Sequence, residues 1–180
     1  MSNNPIAIKS KKWIIDALLE LMSKKAYRLI TVSEISSKAL IDRRTFYRHF
    51  ECKEDVLHFV IDDIAVEYLD AIKGIAPMDT YTITRNFFDI CLKYSDFINL
   101  LHRNNLMYFL LDKFYTNLPV IHAQVRSDEM SETLSQDMDY FLFFHAGGFW
   151  SLLFKWVIDG MKKSPNDLAI LASVITNRLI

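Results

Sequence analysis

Hydrophobic positions recur every three or four residues along almost the whole 180-residue chain and nowhere sustain a strict alternation. That spacing is helical, so the pattern predicts an all-α protein. Over residues 9–24, Trp13, Ala17 and Leu21, with Ile14, Leu18 and Met22 beside them, form a broad inward stripe on a first helix. Thr31 opens a second, short helix: Glu34 three residues on completes a capping box, and Val32, Ile35 and Ala39 face inward. After a tight connection at Leu40 and Ile41, Asp42 is placed to cap a third short helix by accepting from the free amide of Arg44 or Thr45. On that helix Phe46 and Phe50 point inward, and Arg43, Arg44, Thr45, Tyr47, Arg48 and His49 turn away from them.

A longer fourth helix carries Val56, Val60 and Ile64 with Leu57 and Ile61, and ends near Gly74. The stretch GIAPMDT at 74–80 punctuates the chain, with a new cap at Asp79 or Thr80. Further helices are predicted over 81–94, 96–103, 105–126 with a break or kink at Pro119, 131–159, and 165–178, the last capped by Ser164 with Pro165 and Asp167 in its first turn.

Charge changes this picture more than composition does. The net charge is only −1, yet residues 1–60 carry +4 and the remainder −5, so the basic part is the segment with the two short helices. Two cysteines, Cys52 and Cys91, are too few for a disulfide framework and form no CxxC pair, which points to a reducing cytoplasm. The start, MSNNPIAIKSKK, has no apolar signal core, and no apolar run approaches the roughly 18–20 residues that span a bilayer. A soluble protein away from the membrane is expected.

A capped short helix, a tight turn and a second short helix with basic and hydroxyl residues outward is the sequence form of a helix-turn-helix. The stretch TVSEISSKALIDRRTFYRHFECKEDVL resembles the DNA-binding domain of the TetR/AcrR family of bacterial transcriptional regulators. Thr31, Val32, Ile35, Ala39, Thr45, Phe46, Tyr47, His49, Phe50, Lys53, Glu54 and Leu57 carry the likeness. FHAGGFWSLLFKWVIDGMKKSPNDLA is similar to the penultimate helix and following Ser-Pro cap of one subgroup. The resemblance implies a TetR-like architecture of about nine helices, with a three-helix DNA-binding domain at residues 1–52 and a helical regulatory and dimerisation domain at 53–180.

It further implies that Tyr47, His49 and Lys53 grip phosphates, helped by the amides that open the fourth helix. Arg43, Arg44, Thr45 and Arg48 are then candidates for base edges or adjacent phosphates, Thr31 and Ser33 for the backbone, and Lys9, Lys11 and Lys12 for non-specific attraction. Two positions depart from the family pattern. Leu40 stands where Gly is usual, so the turn carries a left-handed Leu at a cost of about 1 kcal/mol or takes another shape. Arg44 stands where a small residue is usual.

The second half is rich in aromatic residues, most of them core. Phe97, Tyr108, Phe109, Phe144 and Trp150 are the candidates for contact with a small hydrophobic or aromatic effector. Gly147 and Gly148 inside a helix cost about 1 kcal/mol each relative to Ala. Close packing of helices across a dimer interface, with Trp156 nearby, would offset that cost, as would a kink that opens a pocket. His58 and Asp62 at i, i+4 would supply two metal ligands, with His102, His122 or His145 as distant partners, but scattered histidines in a helical protein are more often core or surface residues; Cys52 near a helix start would be a redox-sensitive thiol but has no resolving partner in sequence, and no metal or cofactor is expected. No phosphate loop, nucleophile elbow or paired-carboxylate motif suggests an enzyme. The expectation is a cytoplasmic, ligand-responsive, homodimeric repressor on a palindromic DNA operator. The rival is a TetR-like coactivator that binds a protein partner and has lost operator binding.

Overall fold

The computed structural model describes residues 5–75, 79–125 and 137–179. Nine α-helices and no strand lie among them. Helix α1 (Pro5–Lys24) begins with proline at its first position and is followed by a short 3-10 turn at Tyr27–Leu29. Helices α2 (Val32–Lys38) and α3 (Arg43–Tyr47) are short, and α4 (Lys53–Ile72) is long. Then come α5 (Thr80–Lys93), α6 (Ser95–Arg103), α7 (Met107–Val125), α8 (Met138–Ile158) and α9 (Pro165–Leu179).

Helix α1 packs on α2, α3, α4 and α6, while α4 reaches forward to α5 and α7. Helix α4 is therefore the element shared by the N-terminal helices and the rest. The core has no seam at the expected boundary near residue 52: Ile14, Leu18, Ile35 and Phe46 belong to the same buried cluster as Leu57, Phe88, Leu101 and Leu168. Three helix ends close in the same way, with a left-handed residue and a 6→1 amide bond. These are Leu40 after α2, Asn105 after α6 and Gly160 after α8.

Most predicted elements are found within two residues, and α1 starts earlier, at Pro5. Asp79, not Thr80, caps α5, accepting from the Thr82 amide at 2.8 Å. Ser164 accepts from the Asp167 amide at 3.1 Å ahead of α9. Two expectations need correction, and part of a third lies outside the described residues. Trp13 is 49% exposed, because the buried stripe of α1 runs one residue later, through Ile14, Ala17, Leu18 and Met22. Helix α7 is not broken at Pro119 but runs through it; the helix forgoes one amide donor there and Pro119 faces outward. Of the helix expected over 131–159, residues 131–136 lie outside the described residues. No described helix is long and apolar enough to cross a membrane.

Candidate nucleic-acid interface

The outward face of α3 is set by the ends of its neighbours. At the start of α2, Thr31 Oγ1 accepts from the Glu34 amide at 3.3 Å, and Glu34 Oε2 accepts from the Thr31 amide at 2.9 Å. Glu34 also pairs with Lys25, and that ammonium, first, with the two Thr31 bonds holds its carboxyl down at about 2. At the far end Leu40 takes a φ of 55°, the left-handed conformation the turn requires, and is 92% exposed. The Ile41 amide reaches back to the Ser36 carbonyl at 3.0 Å and the Leu40 amide to that of Ser37 at 3.2 Å. The turn thus keeps the left-handed shape in spite of the missing glycine, with the strain carried by Leu40.

Asp42 then caps α3 by accepting from the Thr45 amide at 2.6 Å, a bond that also pulls its carboxyl below the usual range. With that end fixed, Phe46 and Phe50 are buried, and Arg43, Arg44, Tyr47 and Arg48 are exposed together on the opposite side. Thr45 and His49 lie half-buried at its edges. The Arg43 guanidinium sits 5.9 Å from the Tyr47 ring centre, and that ring meets Phe46 edge-on at 5.5 Å. Thr31 and Ser33 are exposed at the start of α2.

Other candidates have internal partners. His49 Nε2 lies 2.7 Å from Ser10 Oγ on α1. The same hydroxyl lies 3.1 Å from the Ala7 carbonyl, so a single short side-chain bond ties the His49 ring to α1, whichever of the two atoms donates. Burial, with Arg48 and Lys11 nearby, lowers the tendency of His49 to protonate. The Lys53 ammonium donates to the carbonyls of Tyr27 at 2.9 Å and Ile30 at 2.8 Å. Lys11 lies over the Phe59 ring at 3.9 Å, and Lys12 pairs with Asp16 at 2.9 Å; both ammonium groups are thus drawn toward their own protein. The first amides before α4 are also used: those of Glu51 and Cys52 donate to Asp55 Oδ2 at 2.8 and 3.0 Å.

Farther along the chain, α4, α5, α6, α7 and α8 line a pocket of about 70 Å³. Ile61, Tyr68, Phe87, Phe114 and Trp150 supply apolar walls, and Lys113 and Asn117, one turn apart on α7, supply polar groups. Of the five aromatic residues expected at an effector, only Trp150 lines this pocket. Phe97 and Phe109 are buried elsewhere in the core, and Tyr108 and Phe144 are exposed. The pocket's polar pair was missed because helical period reveals which residues face inward, not which helices leave a gap between them.

Trp156 is also misplaced by the sequence reading. It is buried within the protomer, meets Phe88 edge-on at 5.2 Å and donates from Nε1 to the Lys163 carbonyl at 2.8 Å, so it cannot present itself to a second chain. A methyl group at Gly147 or Gly148 would meet no described neighbour within 4 Å beyond its own helix backbone. The two glycines instead adjoin exposed apolar residues of α8, Tyr140, Phe143, Phe154 and Ile158, and α9 adds Ile170, Leu171, Val174 and Ile175.

His58 packs its ring against Phe109 at 4.8 Å, and Asp62 pairs with Lys113 at 2.7 Å. Among the described residues, no group of three or more His, Cys, Asp and Glu is placed to hold a metal ion. Burial pushes the thiols of Cys52 and Cys91 up, away from the reactive thiolate.

Residues 14–60 match the model of the bacterial regulatory proteins of the tetR family, and residues 79–178 match that of a transcriptional regulator C-terminal region. The HTH-type dhaKLM operon transcriptional activator DhaS of Lactococcus lactis is 26% identical over 137 residues, covering 74% of this chain and 67% of that protein. Among solved structures, a dihydroxyacetone kinase operon activator DhaS superposes with a TM-score of 0.58 at 22% identity, over 94% of this chain and 93% of the other. The fatty acid degradation regulator FadR from Bacillus halodurans superposes with a TM-score of 0.62 at 17% identity, over 97% and 96%. Both structures share the fold. With both parts of the chain matched and the helix-turn-helix built as its sequence requires, the protein belongs to the TetR family of bacterial transcriptional regulators.

Proposed function

We propose that the protein acts in the cytoplasm as a homodimeric operator binder, reading DNA with the outward face of α3. The observation that carries this reading is the joint exposure of Arg43, Arg44, Tyr47 and Arg48 on a helix whose phase is locked by Phe46, Phe50 and the Asp42 cap. Arginine forks on such a helix suit base edges, with Thr31, Ser33, Thr45 and Tyr47 placed for the flanking backbone. The exposed apolar residues of α8 and α9 suit a self-complementary contact with a second copy, which would set two α3 helices about one turn of DNA apart. The pocket beside Trp150 suits a small, largely apolar effector that biases the dimer toward one head separation. No metal, cofactor or catalytic step enters this reading.

The sign of regulation follows from where the operator lies. A repressor was the expectation from sequence, whereas the relative DhaS is named an activator. A reporter fused to the target promoter decides between them by its direction of change on deletion of the regulator. Operator binding itself is tested by fluorescence anisotropy with the DNA upstream of the gene and a scrambled duplex across a salt series. The expected outcome is a preference for the upstream DNA with a log–log salt slope of about −5 to −8, for six to nine phosphates per dimer.

A second reading is favoured by one observation. Lys53 and His49, two of the three candidate phosphate grips, carry internal hydrogen bonds. A coactivator that binds a protein partner would keep those bonds for folding and show no DNA preference at any salt.

A further inference from the structure

The 3-10 turn between α1 and α2 is held by side chains from two other elements. Tyr27, buried at its start, has its amide bound by Asn104 Oδ1 at 2.8 Å, from a residue 77 positions away at the end of α6. Its carbonyl, and that of Ile30, are bound by Lys53 from the start of α4. The Asn104 carboxamide is aimed by its own helix: Nδ2 donates to the Leu100 carbonyl at 2.9 Å. The end of α6 is in turn closed by left-handed Asn105 and by the Leu106 amide bonding to the Leu101 carbonyl at 2.8 Å. The acceptor therefore approaches Tyr27 from a rigid mount.

Covalent continuity attaches the helix-turn-helix to the body only through α4. Apolar packing of α1 on α6 holds the head but tolerates small sliding; a directional hydrogen bond off the axis of α4 fixes its angle. Asn104 supplies that bond. We propose that Asn104 is a positioning residue that fixes the angle of the reading head on the C-terminal body, and that it thereby determines which half-site spacing the dimer accepts. This rests on the operator-binding reading above. The demand on head position is strict: half-sites one helical turn apart lie about 34–36 Å from centre to centre over 10–10.5 bp. One base pair too many displaces a half-site by roughly 3.4 Å and rotates it by about a tenth of a turn. A head that can slide absorbs such an error, and a head fixed in angle does not.

The test uses full-length protein and duplexes carrying the operator with one base pair inserted or removed at its centre. Wild-type protein is expected to lose at least about tenfold in affinity on either altered duplex. Asn104→Ala should bind all three within about threefold, with the salt slope and dimeric state unchanged. Asn104→Asp, which keeps an oxygen acceptor for the Tyr27 amide but loses the Nδ2 donor that aims it at the Leu100 carbonyl, should keep part of the discrimination, between wild type and Asn104→Ala. Amide exchange supplies a readout that needs no DNA: exchange at Tyr27 should quicken at least tenfold in Asn104→Ala and by less in Asn104→Asp, with Ile35 and Phe46 unchanged in both. Undiminished spacing discrimination in Asn104→Ala overturns the positioning role, and unaltered Tyr27 exchange overturns the tie itself. A wild-type protein with no operator preference at any spacing overturns the operator-binding reading and the spacing role together, while the Tyr27 exchange rates still decide whether Asn104 holds the turn.

Discussion

The Lys53 ammonium lies 4.4 Å from the centre of the Tyr27 ring and donates to the carbonyl of the same residue at 2.9 Å. One charged group thus gives the Ile30 carbonyl a donor, adds a second to the Tyr27 carbonyl, which also accepts from the Ile30 amide at 3.0 Å, and covers an aromatic face as well. Lys53→Met should lower the unfolding free energy by about 2 kcal/mol, measured by urea denaturation. Its effect on the salt slope of DNA binding should be small. A lysine that held one phosphate in each half-site would take roughly 1.8 from that slope, and a loss of that size would assign Lys53 to the DNA instead.

Arg44 gives the opposite expectation. It is exposed, on a face that no neighbouring helix covers. Arg44→Ala should therefore change stability by less than about 0.5 kcal/mol. Operator affinity should fall by at least about tenfold, the loss of a fork that spans a base edge or a phosphate. Binding at wild-type strength would show that the bulky side chain at this position turns away from the DNA.

Leu40 carries strain that burial of its side chain does not offset. Its φ of 55° puts the Cβ against the following carbonyl, and at 92% exposure the side chain gains almost nothing from burial. Leu40→Gly should raise the unfolding free energy by roughly 0.5–1 kcal/mol, the relief of strain less the greater freedom of glycine in the unfolded chain. A loss of stability instead would mean that Leu40 makes a contact worth more than its strain.

How far the sequence was readable differs from residue to residue. The caps at Thr31, Asp42 and Ser164 and the inward Phe46 and Phe50 are local chemistry at fixed spacing, and each is found. The turn at Leu40 was only half legible: the family pattern marks the position as one for glycine, but with Leu there a left-handed turn and a turn of another shape stayed equally open, and the structure has the first. Trp13 was not legible: a stripe several residues wide has two edges, and the spacing does not say which edge meets the neighbouring helices. Lys53 and Asn104 were beyond reach for another reason. Their partners are backbone groups 23 to 77 residues away, which leave no periodic trace. The pocket residues Lys113 and Asn117 stayed hidden likewise, since a gap among five helices belongs to their packing and to no single stretch.

His49 should make both folding and DNA binding depend on pH, with opposite slopes. Its ordinary value is 6.5, and burial, followed by the charges of Arg48 and Lys11, depresses it in the folded chain. The unfolded chain therefore takes up the proton first as pH falls, so the contribution of His49 to stability is complete above about 6.5 and is lost as pH drops toward the folded value. A DNA phosphate reverses the balance at the same ring. With Nε2 bonded to Ser10, Nδ1 is the ring nitrogen left for a phosphate, and a phosphate there would favour the protonated ring. Operator binding then takes up a proton, and affinity rises as pH falls through the value of the bound state, by at most about tenfold per pH unit for each proton taken up. His49→Gln should flatten both profiles between about pH 7.5 and 5.5, read by denaturation for the one and anisotropy for the other. If DNA affinity follows parallel curves in wild type and variant, the imidazole stays neutral on the DNA and serves only to hold α3 against Ser10.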